Sequence, residues 1–394
     1  MKFKQYSLAE LATIKYGKNQ KKVLSANGTF PIYGTGGLMG YATEPLYDKP
    51  SVLIGRKGTI DKVKYVDCPF WTVDTLFYTI INTEIVLPKY LYYVMSQINL
   101  NIYNEGTTIP SLRTETLNRL IFSIPSIEDQ KKILSCVLPF DRKIELNNAI
   151  NKNLEQQAEA VFKSWFEDFA PFNEPLVETP IGINVPASLK MVQIAYIPHV
   201  LETGKRPKGG AVTSGIPSIG AENVKQLGKV NLSSAKYIPE EFAAKMKTGA
   251  INGYELLLYK DGGKPGTFIP HFSMFGEGFP YQKFFINEHV FKLDFGNRGF
   301  NEFAYFFMQT DYAYHWLANN GGKAAVPGIN QQNVNDIWIF SPENSKVKEF
   351  GEWVQPLFTT ILKNCAQNVK LGELRDTLLP KLMSGELDVS TLDF

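Results

Sequence analysis

Long apolar runs are missing from this chain. No stretch approaches the roughly 18 residues that suggest a membrane-crossing helix, so no membrane partner is expected. The opening Met1-Lys2-Phe3-Lys4-Gln5-Tyr6 lacks the apolar segment of a secretory signal, and the expected compartment is the cytoplasm. Cysteine is scarce. Cys68, Cys136 and Cys365 stand far apart, an odd set that reads as spare thiols in a reducing environment. The histidines His199, His271, His289 and His315 have neither metal-ligand spacing nor a companion cysteine pair, so no metal is expected.

Catalytic signatures are also missing. Gly34-Thr35-Gly36-Gly37-Leu38-Met39-Gly40 is glycine-rich but has no Walker lysine, and it reads as a loop. In Gly262-Gly263-Lys264-Pro265 a proline follows the lysine where Ser or Thr would be needed. No Asn-Pro-Pro-aromatic segment of the adenine methyltransferase kind is present, and no acidic cluster followed by lysine suggests a nuclease centre. Trp71 and Asp74 are the residues a carbohydrate-processing enzyme could use, but they read better as parts of a core.

What is present is a globular composition, 44% hydrophobic, in 394 residues, long enough for two or more domains. It is also internally repeated. With residues 107–168 written above 324–385, a constant offset of 217 gives 11 identities in 62 positions. These fall on prolines, seam positions and asparagines: Pro110 on Pro327, Pro125 on Pro342, Pro139 on Pro356, Leu154 on Leu371. Upstream the offset changes. Gly17-Lys18 pairs with Gly204-Lys205, Gly58-Thr59-Ile60 with Gly266-Thr267-Phe268, and Tyr90 with Phe303. The second copy is therefore about 30 residues longer, all before the shared ending. A common scaffold with divergent loops is how a binding module gains a second specificity.

Each copy ends in a helical pattern. From Ser126, a capping residue followed by Glu128 and Asp129, the seam runs Ile133, Val137, Phe140, Ile144, Asn147, Asn151, Leu154, Ala158, Val161, Trp165. The second runs Phe350, Val354, Leu357, Ile361, Asn364, Asn368, Leu371, Arg375, Leu378, Leu382. Alternating steps of four and three mark a coiled-coil seam. Asparagines in such a seam fix register, so the two helices should pack antiparallel with Asn147, Asn151, Asn364 and Asn368 meeting near the crossing, alongside Leu154 and Leu371. Pro139 and Pro356 predict a kink or break in each helix. About 40 residues make a rod on the order of 60 Å, a spacer as much as a core.

The net charge of +2 conceals a division. Residues 1–125 carry +5 and 180–342 carry +3, while 126–179 carry −4 and 343–394 carry −2. Basic modules suggest a polyanion partner, and acidic rods a protein partner, although solvated surface charge alone also produces so modest an excess. The basic residues cluster in turn-rich stretches. Candidates for DNA contact in the first copy are Lys18, Lys21, Lys22, Tyr33, Arg56, Lys57, Thr59, Lys62 and Arg113. In the second they are Lys205, Arg206, Lys208, Asn223, Lys260, Lys264, Thr267, Gln282, Lys283 and Lys323. Arg56 could read guanine in the major groove, and Asn223 or Gln282 adenine; phosphate contact is the commoner role for any one of them.

The chain resembles the specificity subunits of type I restriction–modification systems over essentially its whole length. The resemblance is carried by Glu159-Ala160-Val161-Phe162-Lys163-Ser164-Trp165-Phe166-Glu167-Asp168-Phe169, by Leu378-Leu379-Pro380-Lys381-Leu382-Met383-Ser384-Gly385-Glu386-Leu387, and by Ile124-Pro125 before Gln130-Lys131-Lys132. The second copy departs where Ser341-Pro342-Glu343-Asn344-Ser345 replaces the Gln-bearing opening, which leaves the start of its helix open.

The resemblance implies an α+β fold. Two similar mixed α/β target-recognition domains (1–125 and 173–342) alternate with two long, antiparallel coiled-coil helices (126–172 and 343–394) in an internal pseudo-twofold repeat. It implies a non-catalytic subunit whose domains each read half of a bipartite, asymmetric double-stranded DNA site, with the helices setting the gap. Two methyltransferase (M) subunits would methylate adenine with S-adenosylmethionine, and restriction (R) subunits would cut DNA using ATP and Mg2+, so this chain itself would hold no cofactor. The alternative is an orphan sequence-specific DNA-binding protein without methyltransferase partners.

Overall fold

The computed structural model describes residues 1–232, 235–322 and 326–391. The chain divides into two compact units, one of Met1–Arg142 with Leu371–Phe394, the other of Lys143–Lys370. Each long helix contributes to both.

In the first unit, strand Ser51–Gly55 is apolar and wholly buried, as a central strand should be. It lies in a four-stranded antiparallel sheet ordered Ala12–Tyr16, Leu76–Ile81, Ser51–Gly55, Val63–Val66. A second sheet joins Gly37–Ala42 and Phe30–Gly34 as a hairpin, with Trp71–Thr72 added parallel to the latter. The stretch Gly34–Gly40 expected as a loop is thus mostly hairpin, closed by a two-residue turn at Thr35-Gly36. Strands Phe3–Ser7 and Ile121–Pro125 pair antiparallel. Helix Pro88–Ser96 buries Tyr90, Leu91 and Tyr93 in the core, which also takes Ile133, Leu134 and Val137 from the first long helix and Leu379 and Leu382 from the second.

The second unit repeats each of these sheets in the same strand order and adds a hairpin of Leu176–Glu178 and Asn184–Pro186. Its four-stranded sheet runs Val200–Thr203, Val290–Asp294, Leu256–Tyr259, Phe272–Ser273. Its three-stranded sheet joins Lys236–Ile238, Ile216–Ile219 and, in parallel, Phe285–Ile286. Met191–Gln193 pairs with Trp338–Phe340. Much of the extra length lies between the hairpin strands, where residues 220–235 stand in place of Thr35-Gly36. Gly17 and Gly204 repeat as well. A Cβ on Gly17 would stand 2.0 Å from the Val73 carbonyl oxygen and one on Gly204 1.5 Å from that of Ile286, so only glycine fits either crossing.

Helix Arg298–Phe307 sets Phe300, Phe303, Phe306 and Phe307 against Phe162 and Phe166 of the first long helix and Phe350 and Phe358 of the second. Gly351 permits this approach, since its Cβ position lies 2.9 Å from the Gly299 carbonyl oxygen.

The long helices span Ile127–Phe166 and Ser345–Ser384. Ser126 caps the first, its hydroxyl accepting from the Asp129 amide at 3.1 Å. The open start of the second is capped by Asn344, whose Oδ1 accepts from the Lys346 amide at 2.8 Å. Of the kink or break expected at Pro139 and Pro356, the break is not found: both prolines lie inside uninterrupted helix. Ile133, Leu134 and Val137 around one proline, and Val354 and Phe358 around the other, are buried. Tertiary packing therefore holds the turn where proline removes a hydrogen bond.

The helices pair antiparallel in each unit. In the second, Asn147 Nδ2 donates to Asn368 Oδ1 at 2.8 Å and to Gln367 Oε1 at 2.7 Å, and Asn364 Nδ2 donates to Asn151 Oδ1 at 2.8 Å. In the first, Arg375 donates to Asp141 at 2.7 Å. Leu154 packs against the phenylalanine core, whereas Leu371 belongs to the first unit. The two leucines hold equivalent positions in the repeat and fall in different units.

Candidate nucleic-acid interface

In both units the central strand of the larger sheet ends in a loop whose backbone is tied down on two sides. In the first, the Arg56 amide donates to the Thr75 carbonyl at 2.8 Å, and its own carbonyl accepts from Leu112 at 2.9 Å. In the second, the Lys260 amide donates to the His289 carbonyl at 3.0 Å, and its carbonyl accepts from Ile329 at 2.8 Å. Gly58 and Gly262 then donate to Pro110 and Pro327, each at 2.9 Å. Arg56 and Lys260 are therefore equivalent, and Gly58 corresponds to Gly262, not to Gly266 as the sequence match has it. Ile60 and Phe268 are both buried, so the second loop carries its extra residues between a shared start and a shared apolar anchor.

Even the side chains repeat. Arg56 Nη1 donates to the Asp74 carbonyl at 2.9 Å, and Lys260 Nζ donates to the corresponding Glu288 carbonyl at 3.0 Å. The Arg56 guanidinium also sits 5.2 Å from the centre of the Tyr16 ring, so part of its donor set is committed within the protein.

Around these loops lie two open basic cavities. One, of about 510 Å³, brings Arg56 and Lys57 together with Arg113, Tyr16 and Glu115. Arg113 is 71% exposed at its side chain and pairs with Glu105 at 3.1 Å, a contact worth little in water. The other, of about 520 Å³, brings Lys264 and Thr267 together with Lys225, Glu222, Tyr259 and His271. Burial and then the Lys225 charge push the His271 imidazole down. Lys225 was not among the sequence candidates; its proximity to the loop depends on the segment after Ile219 folding back.

Of the other candidates, Lys18, Lys21, Lys22, Thr59 and Lys62 are exposed in the first unit, and Tyr33 is half-buried under Lys64, whose ammonium lies 4.5 Å from its ring centre. In the second, Lys205, Arg206, Lys208, Gln282 and Lys283 are exposed. Asn223 is corrected: it is 5% exposed, and its Oδ1 accepts from the Asn231 amide at 2.7 Å, so it braces a loop and reads no base. Lys323 lies outside the described residues. Trp71 is buried and donates to the Lys18 carbonyl at 2.8 Å, while Asp74 offers its carbonyl to Arg56.

Gln130 has a part that sequence alone did not reveal. Fully buried, it donates to the Ile85 and Pro125 carbonyls at 2.8 and 3.0 Å and accepts from the Leu87 amide at 2.8 Å, tying the long helix to the preceding module. Val347 replaces it in the second copy. Among the described residues no group of three or more His, Cys, Asp or Glu is placed to hold a metal ion, and no helix is long and apolar enough to cross a membrane.

Residues 1–156 match the family model described as the type I restriction modification DNA specificity domain. The chain is 28% identical over 355 residues to the type I restriction enzyme MjaIX specificity subunit of Methanocaldococcus jannaschii, covering 88% of this chain and 80% of that one. It is 25% identical over 392 residues to the HindI specificity subunit of Haemophilus influenzae, covering 82% of each. Its fold matches the type I restriction–modification S subunit from M. genitalium with a TM-score of 0.59 and 16% identity, covering 97% of this chain and 96% of that one. The match to the type I restriction modification DNA specificity domain thus covers residues 1–156, and the likeness to specificity subunits of type I restriction enzymes extends over 88% of the chain.

Proposed function

We propose that this chain is the DNA-recognition subunit of a type I restriction–modification complex and catalyses nothing itself. Each unit reads one half of a bipartite, asymmetric double-stranded site, and the long helices act as the spacer. Two methyltransferase subunits dock on it and methylate adenine with S-adenosylmethionine; restriction subunits supply ATP- and Mg2+-dependent cleavage.

One observation carries this reading: a single backbone scaffold presents two different basic loops at the same place, Arg56-Lys57-Gly58 in one unit and Lys260 to Lys264 in the other. Cations on anchored, turn-rich backbone suit phosphate contact, and different loops on one scaffold suit different base sequences.

The test is to map N6-methyladenine in host DNA with and without the gene. Loss of one split, asymmetric motif on deletion is expected and would also give the target sequence. An unchanged methylome refutes the methyltransferase partnership, and DNA binding by the purified chain would then favour an orphan binding protein.

A further inference from the structure

The second unit carries a charged lattice with no counterpart in the first. Lys260 Nζ donates to Asp261 Oδ2 at 2.9 Å as well as to the Glu288 carbonyl. Asp261 Oδ1 meets His289 Nδ1. His289 Nε2 lies 3.2 Å from Glu288 Oε1, the oxygen that also pairs with Arg206 Nε at 2.9 Å. Five side chains thus link three loops: the one after Val200–Thr203, the one after Leu256–Tyr259, and the turn before Val290–Asp294. Burial alone would raise the Asp261 carboxyl, but hydrogen bonds from Lys260 and His289 hold it below the usual carboxylate range. In the first unit Lys57 occupies the place of Asp261, so no such lattice can form there.

We propose that Lys260, Asp261, Glu288 and His289 are positioning residues that preset Arg206 and the Gly262-Gly263-Lys264 loop for DNA, and that Lys260 is a structural cation, not a phosphate ligand. The proposal rests on the DNA-recognition reading above. Its support is the repeat: the cation at this backbone position bonds a main-chain carbonyl in both units, as arginine in one and lysine in the other. The imidazole adds a second feature. It faces a carboxylate at each ring nitrogen, Asp261 and Glu288, with Lys260, Arg206 and, at longer range, Glu222 completing its charged surroundings.

The experiment measures binding of the full chain to a mixed-sequence DNA duplex by fluorescence anisotropy across a range of salt concentrations. Lys264→Ala should lower the slope of log affinity against log salt by about 0.9, the signature of one phosphate ligand removed. Lys260→Met should weaken binding several-fold with the slope unchanged, and Lys260→Arg should restore it. Asp261→Asn is the sharpest case. Removing an acid beside DNA should tighten binding if only long-range charge matters, whereas loss of the lattice weakens it. A slope reduction of about 0.9 for Lys260→Met, or tighter binding by Asp261→Asn, overturns the proposal while leaving DNA recognition intact. Failure of the wild-type chain to bind the duplex refutes the recognition reading and this proposal with it.

Discussion

Gly351 and Gly372 lie on the same long helix, and the same substitution should act on them with opposite sign. Alanine in a helix interior is favoured over glycine by about 1 kcal/mol. A Cβ at Gly372 meets nothing within 4 Å, so Gly372→Ala should realise that gain. At Gly351 the new atom would stand 2.9 Å from the Gly299 carbonyl oxygen, 3.0 Å from its carbon and 3.1 Å from its Cα. All three are backbone atoms of the helix bearing the phenylalanine cluster, and no rotamer can move them aside. Overpacking of this kind costs roughly 1–3 kcal/mol, so Gly351→Ala should come out about 1 kcal/mol destabilising after the propensity gain. The two variants should then differ by about 2 kcal/mol, with Tm moving about 2–4 °C per kcal/mol in units of this size. Calorimetry on the full chain, with hydrogen exchange to assign each transition to its unit, reads both. If Gly351→Ala stabilises as much as Gly372→Ala, the two helices do not approach to backbone contact.

Changing Arg56 and Lys57 together to alanine should weaken DNA binding and reduce the salt slope by about 0.9 for each phosphate ligand removed; an unchanged slope would exclude this loop from the interface. Inserting four residues, about one helical turn, into both long helices should change the spacing between half-sites and leave each half-site sequence alone, as methylome mapping would show. Glu302 is fully buried with Oε2 unpartnered, and burial outweighs the Arg298 charge to push its carboxyl up from 4.5 to about 7. The folded state therefore keeps a proton that the unfolded chain has released, so this group's contribution to stability is lost as pH rises from about 4.5 to about 7. Glu302→Gln should flatten that fall, by up to about 3 kcal/mol at pH 8; identical pH profiles for the two proteins would show that the carboxyl is not so perturbed. Burial likewise pushes the Cys365 thiol up to about 11, so iodoacetamide at pH 8 should modify exposed Cys68 well before Cys365, and the reverse order by mass spectrometry would contradict its burial.

The sequence by itself determined the repeat and the pairing of the long helices. The offset of 217 carries helix Thr114–Asn118 onto Gln331–Asn335 and strand Ile121–Pro125 onto Trp338–Phe340. It also carries the two long helices onto each other to within a residue at either end. These features are local. A seam with asparagine at matched places needs a polar partner at each crossing, and an antiparallel repeat supplies one. What only the tertiary structure decided depends on atoms far apart in the chain. Asn223 looked like a base reader until a loop closed over it, and Gly58 was matched to Gly266 until hydrogen bonds to Pro110 and Pro327 matched it to Gly262. Pro139 and Pro356 signalled a kink or a break, and the helices run unbroken through both because packing from other elements buries the turns around them. Lys260 read as one more candidate for DNA contact, but its ammonium is held by a side chain one residue away and a carbonyl 28 residues away. Whether a charge faces solvent or closes a loop is set by which donors and acceptors the fold brings within about 3 Å. Local periodicity carries no record of that.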